Sequence, residues 1–196
     1  MTWDYLSWRA SCMQADACRS KHIHFRPLAL EDTDEIIAWR NSAFVRQHFI
    51  YQQPFTRDGH LRWFAEQLLS GRAVQFLVCA NDDGRHLGSV YLRDIDRTHG
   101  KAELGIFLGE TACGHGIGTE AVRLLVRYAF EELHLHRVYL RVFADNARAI
   151  AAYQKAGFAV VGRLRDSVGM DGTYRDLLLM SVLASEVGEN RAVGDA

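Results

Sequence analysis

The chain has 196 residues, of which 48% are hydrophobic and 24% are charged, and its formal net charge is −1. This composition is typical of a globular domain with a large core, and the near-neutral charge argues against a nucleic-acid partner. No apolar run is long enough to span a membrane, and the N-terminus lacks the basic start and apolar core of a signal peptide, so we expect a cytoplasmic protein.

The cysteine and histidine patterns predict no metal site. The four cysteines include no C-x-x-C pair, so they indicate neither a disulfide framework nor a zinc site. Two histidine pairs, His22 with His24 and His134 with His136, have a spacing that puts both rings on one face of a strand. No cysteine or carboxylate accompanies either pair at a familiar spacing, so solvent-exposed or hydrogen-bonded histidines are the better interpretation.

The first third of the chain predicts an extension followed by a strand and two helices. Residues 1–21 show no sustained periodicity and are interpreted as an N-terminal extension, before a single domain over residues 22–184. IHFRPL alternates like a short strand, and acidic residues crowd the start of the helix predicted in ALEDTDEIIAWRNS. A second helix is predicted over roughly 58–70, ending at Gly71.

The middle of the chain predicts an antiparallel meander. Short polar turns join the strands AVQFLVCA, HLGSVYLRDID and AELGIFLG, whereas parallel neighbours would need crossover helices. A long helix (TEAVRLLVRYAFEELHLH), a strand (RVYLRVFA), a short helix (DNARAIAAYQKAGF) and a strand–turn–strand unit follow. Residues 185–196 form a polar tail that we expect to fray.

A glycine-rich loop precedes the long helix. CGHGIGTEA places three glycines within five positions, and glycine there lets a ligand approach the backbone. Free amides and the dipole at a helix N-terminus can hold a phosphate without formal positive charge. A tight strand-to-helix turn with no ligand explains the loop alone almost equally well.

The loop also fits a dinucleotide-binding fingerprint. Gly116 to Ala121 matches G-x-G-x-x-G/A, and Asp145 follows the next strand, as in a nicotinamide-dependent oxidoreductase with a Rossmann fold. Repeated βαβ units are needed for that fold, and here a meander precedes the loop and one clear crossover follows it. A P-loop is excluded because no Lys-Ser/Thr follows the last glycine.

Two motifs in sequence order make the interpretation specific. Cys113 to Gly118 aligns with Q/R-x-x-G-x-G/A, and the later segment from Asn146 to Phe158 matches N-x-x-A-[IV]-x-x-Y-x-K-x-G-F. Together they resemble the GNAT superfamily of acetyl-CoA-dependent N-acetyltransferases. The N-terminal half is similar to the RimJ/RimL-type branch, which acts on ribosomal-protein N-termini. The Trp-Arg-Asn element and VYLRDID also resemble acetyltransferases of nucleotide-linked amino sugars.

The resemblance implies a fold and a reaction. The expected fold is mixed α/β, with a mostly antiparallel twisted sheet of about six to seven strands flanked by helices. The cofactor would be acetyl-CoA, and the acceptor a protein N-terminus or a small primary amine that attacks the thioester directly in a ternary complex. A homodimer is one assembly to expect. A non-catalytic acyl-CoA-binding module is a further alternative to the oxidoreductase.

The resemblance also implies which residues meet the cofactor. Backbone groups of the strand end and the loop would pair with pantetheine and pyrophosphate, and the helix start and its tyrosine would complete the site; these are Ile106, Phe107, Leu108, Cys113, Gly114, His115, Gly116, Ile117, Gly118, Thr119, Asn146 and Tyr153. Cys113 departs from the family's Gln or Arg, which lowers the expected affinity, and His115 is a replacement donor. Asn146 would equally serve as a helix N-cap. Cys113 has no evident base, so no acyl-enzyme is expected.

The chemistry needs an acid, a base and an acceptor pocket. Tyr153 is the expected general acid toward the coenzyme A thiolate, with simple packing against the sheet as its alternative. Glu103 is a candidate base, and its alternative is a cross-strand partner for Arg93. The acceptor pocket is predicted to contain Trp39, Arg40, Asn41 and Tyr91, although core packing explains Trp39 nearly as well.

Overall fold

A single mixed sheet organises the chain. The computed structural model describes residues 3–12, 18–170 and 172–191. Its seven strands run in the order β1-β2-β3-β4-β5-β7-β6; they are β1 (Ile23–Pro27), β2 (Val74–Ala80), β3 (His86–Asp96), β4 (Lys101–Leu108), β5 (Arg137–Phe143), β6 (Ala159–Met170) and β7 (Thr173–Leu183). All neighbours are antiparallel except β4 and β5. The predicted mixed fold, with its meander and its sheet of about seven strands, is confirmed.

Helices cover the sheet; they are α1 (Tyr5–Cys12), α2 (Thr33–Asn41), α3 (Ala43–Arg46), α4 (Arg57–Trp63), α5 (Ile117–Glu131), α6 (Ala147–Lys155) and α7 (Ala184–Arg191). A 3₁₀ turn, Leu30–Asp32, leads into α2, and a π-helical turn, Phe64–Leu68, extends α4. The helix predicted over 58–70 is therefore present but changes its hydrogen-bonding pattern midway. None of the described helices is both long enough and apolar enough to cross a membrane.

The parallel pair β4–β5 is the feature that positions the site. The two strands pair over three residues each, and the last pair joins Glu103 to Tyr139. Beyond that point β4 continues beside β3 as far as Leu108, while β5 continues beside β7 as far as Phe143. A wedge therefore opens between β4 and β5, with Glu103 at its apex and Leu108 toward its mouth.

Helix α5 follows the wedge and packs on the sheet. Its buried stripe includes Val122, Val126 and Ala129, as the sequence periodicity predicts. Tyr128 is also fully buried, with its ring edge-to-face against Phe76 at 5.1 Å. This is the helix that follows the glycine-rich loop, so core packing fixes the direction in which its N-terminus points.

The N-terminal region differs from its prediction. Residues 1–21 were expected to be an extension outside the domain, but α1 packs into the core, with Tyr5 and Cys12 buried. The indole N–H of Trp8 donates to the hydroxyl of Tyr128 over 2.6 Å. Helix α1 has only eight residues and exposes the apolar Leu6, so its apolar periodicity is weak and does not predict the helix.

The structure also bears on the predicted C-terminal tail and on the Rossmann alternative. The tail predicted to fray begins with α7, and residues 192–196 lie outside the described residues. The Rossmann alternative requires several parallel neighbours. In the described sheet β4–β5 is the one parallel pair, so this fold does not support a dinucleotide domain.

Candidate active site

The wedge between β4 and β5 holds a cavity of about 420 Å³. Residues of β4, the glycine-rich loop, the start of α5, helix α6 and the segment after α3 line it. From Glu103 to Leu108, β4 spans roughly 17 Å at about 3.4 Å per residue. The cavity is therefore long enough to hold an extended chain between the apex and the helix.

The mouth of the wedge is suited to an anion. The first amide bonded within α5 is that of Glu120, which donates to the Gly116 carbonyl over 3.1 Å. The amides before it have no intrahelical partner, as at any helix start. Gly114 (φ +89°) and Gly116 (φ +81°) have a left-handed backbone, and a β-carbon at either would meet nothing within 4 Å. Open space and free amides together give this end of the wedge the geometry that can hold an anion such as a phosphate.

One edge of β4 is available to a ligand. From Leu104 onward the register pairs β4 with β3 on one side and not with β5 on the other. Backbone groups on that free edge can bond an extended amide-containing chain as an added strand would. Ile106, Phe107 and Leu108 all line the cavity, in agreement with a pantetheine-binding edge.

The glycine-rich loop brings most, but not all, of its predicted residues to the cavity. Cys113 lines it and donates its thiol to the Gly109 carbonyl over 3.6 Å. Burial raises the pKa of this thiol, so it is neutral. His115 is exposed, and neither His115 nor Ile117 lines the cavity.

Helix α6 contributes Asn146 and Tyr153. The Asn146 side chain accepts the Ala149 amide over 3.2 Å, so it caps α6, and it also lines the cavity. Tyr153, about two helical turns further along α6, also lines the cavity. The centre of its ring is 6.0 Å from that of the Phe158 ring. Burial, and then Tyr91, raise the pKa of Tyr153 above its ordinary value, so its hydroxyl keeps its proton.

Glu103 at the apex is buried and held by two arginines. It is 6% exposed. Its carboxylate accepts from Arg93 over 3.0 Å and from Arg141 over 3.0 and 3.2 Å. The cross-strand pairing with Arg93 that the sequence left open is therefore present, in a buried form.

Tyr91 crosses β4 beside the apex. A β-carbon at Gly105 would lie 2.1 Å from the Cζ atom of Tyr91 and 2.3 Å from its hydroxyl oxygen. Glycine at position 105 therefore leaves the space that the ring occupies. Burial raises the pKa of Tyr91, so this hydroxyl is also protonated.

The three residues of the Trp-Arg-Asn element have different roles: Trp39 packs in the core, Asn41 bonds a nearby backbone segment, and Arg40 faces a chamber on the predicted acceptor side. Trp39 packs edge-to-face on Phe107 at 6.2 Å, and Asn41 is engaged in two 2.8 Å hydrogen bonds with the backbone of Phe55. Arg40 lines a smaller chamber of about 260 Å³. Tyr91 lines both the chamber and the main cavity.

Several cavity residues were not predicted from the sequence, and Arg141, Arg148 and Tyr51 are three of them. Arg141 is a charged residue within the apolar strand RVYLRVF, and that interruption was the available signal. Arg148 lies inside the second motif and acts electrostatically on Cys113, where the family signature has a polar side chain. Tyr51 comes from an irregular segment with no signal of its own.

Comparison with known proteins identifies the family of the chain. The family model described as an acetyltransferase (GNAT) domain matches residues 22–159. The putative ribosomal N-acetyltransferase YdaF of Bacillus subtilis is 36% identical over 85% of this chain and 94% of that protein. The spermidine N(1)-acetyltransferase of Escherichia coli K12 is 28% identical over 88% of this chain and 92% of that protein.

A solved structure has the same architecture. The spermidine N-acetyltransferase of Vibrio cholerae, crystallised with CoA and spermine, superposes with a TM-score of 0.78. The two chains are 24% identical, and the match covers 84% of this chain and 96% of that one. At this identity the likeness concerns the fold.

Proposed function

Because the chain belongs to the GNAT acetyltransferase family, we propose that it transfers the acetyl group of acetyl-CoA to a primary amine by direct attack in a ternary complex. The observation that carries the proposal is the wedge between β4 and β5, with an anion cradle toward its mouth and Glu103 at its apex. Pyrophosphate would bind the amides at the start of α5, and pantetheine would follow the free edge of β4. The thioester would then lie near Tyr91 and Tyr153.

The amine must be neutral when it attacks. Both carboxylate oxygens of Glu103 already accept hydrogen bonds from Arg93 or Arg141, so neither oxygen is free to take a proton from the amine. We assign Glu103 to positioning these arginines. The amine then loses its proton to solvent before it binds, and the nearby guanidinium groups disfavour its ammonium form.

Attack of the neutral amine on the thioester carbon forms the C–N bond and places negative charge on the carbonyl oxygen. Amides on the free edge of β4 are suited to stabilise that oxygen. As the C–S bond breaks, the protonated hydroxyl of Tyr153 donates to the departing thiolate. The attacking nitrogen loses a proton to solvent, and the Tyr153 phenolate takes a proton from solvent, which restores its hydroxyl.

Thiol release from acetyl-CoA by the full-length protein tests the proposal. The amine panel contains a peptide N-terminus, a nucleotide-linked amino sugar, spermidine and simple monoamines. We expect at least one of these to stimulate thiol release, with a matching amount of acetylated amine detected by mass spectrometry. The transferase proposal is overturned if no amine stimulates release.

Thermal unfolding with cofactors separates the alternatives. A rise in melting temperature with coenzyme A but no acceptor-dependent release would indicate a non-catalytic binding module. A rise with NAD but not with coenzyme A would indicate an oxidoreductase. The cytoplasmic location and the homodimer remain predictions from the sequence.

A further inference from the structure

A second chamber opens beside the acceptor end of the wedge. It has a volume of about 260 Å³ and shares five lining residues with the main cavity; the shared residues are Phe49, Tyr51, Tyr91, Arg93 and Phe107. Its remaining walls include the rings of Phe55 and Trp63. A cavity of about 150 Å³ lined by apolar groups is known to hold benzene. The chamber is therefore large enough for a ring-sized group that extends from the reacting amine.

One arginine in this chamber has no carboxylate partner among the residues that the structure describes. The Nε atom of Arg40 is buried without a hydrogen-bond partner. Its guanidinium lies over the Phe49 ring at 3.4 Å and 4.9 Å from the centre of the Phe55 ring. Its guanidinium donates a hydrogen bond to the Tyr91 hydroxyl and is repelled by a second arginine, Arg93, and among the described residues no carboxylate pairs with it.

The surroundings of the chamber are positive. Among the described residues that line either space, Glu103 is the one carboxylate, and Arg93 and Arg141 already share it. The pKa of the Tyr51 hydroxyl reflects this positive potential. Burial alone would raise the pKa of its hydroxyl, but Arg93 and Arg141 outweigh burial and lower that pKa.

Arg40 is partly buried, and a cation in that position without an anion is costly. The aromatic rings around it offset part of this cost, and a bound anion can reduce it further. A polyamine would instead bring further positive charge beside Arg40, Arg93 and Arg141, and like charges in such a space repel. Within the chamber, a single carboxylate matches the guanidinium of Arg40, which lacks a carboxylate partner, whereas a phosphate would bring more charge than Arg40 balances. The aromatic walls favour a planar or apolar group between the amine and the carboxylate.

We propose that the chamber around Arg40 selects acceptors in which a primary amine and a carboxylate lie at opposite ends of a planar or apolar body. This rests on the acetyltransferase function proposed above and names its acceptor class. Arg40 recognises the carboxylate, and the amine faces the wedge. Spermidine, the substrate named for several relatives, is a poor acceptor for this chain.

A matched set of benzylamines tests the selection. The probes are 4-(aminomethyl)benzoate, its neutral methyl ester and the dicationic 4-(aminomethyl)benzylamine, with spermidine as a fourth acceptor. We expect kcat/KM for thiol release to be about tenfold or more higher for the carboxylate than for the ester. The two polycations should be poorer than the ester.

The Arg40→Met variant should reduce the carboxylate-to-ester ratio to near one; this ratio is the readout rather than the absolute rate, because Arg40 also lines the acceptor chamber. Arg40→Lys should retain part of the preference, because it keeps the charge without the planar fork. Arg62→Met, which removes an exposed arginine from α4, is the matched control and should keep the full ratio. Melting temperatures identify a variant that fails to fold.

A binding measurement keeps the test independent of turnover. With coenzyme A bound, calorimetry compares the products 4-(acetamidomethyl)benzoate and its methyl ester. Tighter binding of the acid in the wild-type protein, lost in Arg40→Met, supports the proposal. Equal binding of acid and ester by the wild-type protein, or an unchanged preference in Arg40→Met, overturns it, even if other amines are acetylated and the transferase function stands.

Discussion

The ring of Tyr91 lies across Gly105 so closely that a β-carbon at position 105 would be 2.1 Å from the Cζ atom of the ring. This contact brings a buried, protonated hydroxyl from β3 over β4, next to the apex of the wedge. The absence of a side chain at Gly105 therefore decides where Tyr91 lies.

Replacing Gly105 with alanine should displace Tyr91 from the site. A displacement of about 1 Å can cost roughly 10²-fold in rate, so we expect kcat/KM for thiol release to fall by about that factor. Gly162→Ala is the control, because a β-carbon there would meet nothing within 4 Å. Wild-type kcat/KM in Gly105→Ala would show that Tyr91 takes no part in the reaction.

Replacing Tyr153 with phenylalanine should remove the proposed general acid. We expect kcat to fall by roughly 10²- to 10⁴-fold with little change in KM for acetyl-CoA. Because burial raises the pKa of Tyr153, its proton is retained throughout neutral pH, and wild-type activity should not decline on its account below about pH 10. Tyr174→Phe, at a site 71% exposed, is the matched control. Full kcat in Tyr153→Phe would leave Tyr153 with a packing role.

The sequence predicts the fold well, and most of the residues it assigns to the cofactor line the cavity, because both features depend on local patterns. The meander is encoded in strands separated by short polar turns, and the cradle in glycines next to a helix start. Both features lie within a few residues along the chain. Gly114 and Gly116 therefore indicate their backbone role without any knowledge of distant contacts.

The acceptor side depends on contacts between distant segments, and these are hidden from periodicity. Glu103 meets Arg141 across 38 positions, and only the parallel pairing of β4 with β5 brings them together. The hydrogen bond from Trp8 to Tyr128 joins residues that are 120 positions apart in the sequence, so local patterns predict an extension for the N-terminal residues. The sequence predicts Arg40 as a pocket residue, but only the structure shows that its Nε atom lacks a hydrogen-bond partner among the described residues.

Replacing Glu103 with glutamine separates a base from a positioning residue. If the acceptor loses its proton to solvent, kcat/KM should rise about tenfold per pH unit below the pKa of the amine, which is about 10.4 for a lysine-like amine. Glu103→Gln should lower the rate at every pH but keep this profile. If the rise of kcat/KM with pH disappears in Glu103→Gln, Glu103 is identified as the base.

The same substitution should destabilise the fold, because it removes the carboxylate that two arginines share. Breaking a buried ion pair costs about 3 kcal/mol in free energy of unfolding, which urea titration would measure. The exposed Glu66→Gln is the control and should change that free energy by less than about 0.5 kcal/mol. Unchanged stability in Glu103→Gln would mean that the arginines find other partners.

Replacing Tyr5 with alanine tests whether α1 belongs to the domain. Tyr5 is 7% exposed, donates its hydroxyl to the Leu28 carbonyl and packs its ring against Phe64 at 5.3 Å. Its loss should reduce the free energy of unfolding by about 3–5 kcal/mol. Leu6→Ala on the same helix, where the side chain is 71% exposed, should have almost no effect. Equal small effects would return α1 to the status of an extension.

Cys113 tests direct transfer and the departure from the family signature together. Its thiol is neutral because burial raises its pKa, and it donates to the Gly109 carbonyl rather than to a base. Cys113→Ala should therefore keep kcat, with no acetylated enzyme detected by mass spectrometry. Cys113→Gln restores the signature donor near the cradle, and a hydrogen bond to a charged phosphate should lower KM for acetyl-CoA by roughly tenfold. Loss of kcat in a folded Cys113→Ala variant would instead indicate an acyl-enzyme. An unchanged KM for acetyl-CoA in Cys113→Gln would mean that another group, such as Arg148, already supplies the missing donor.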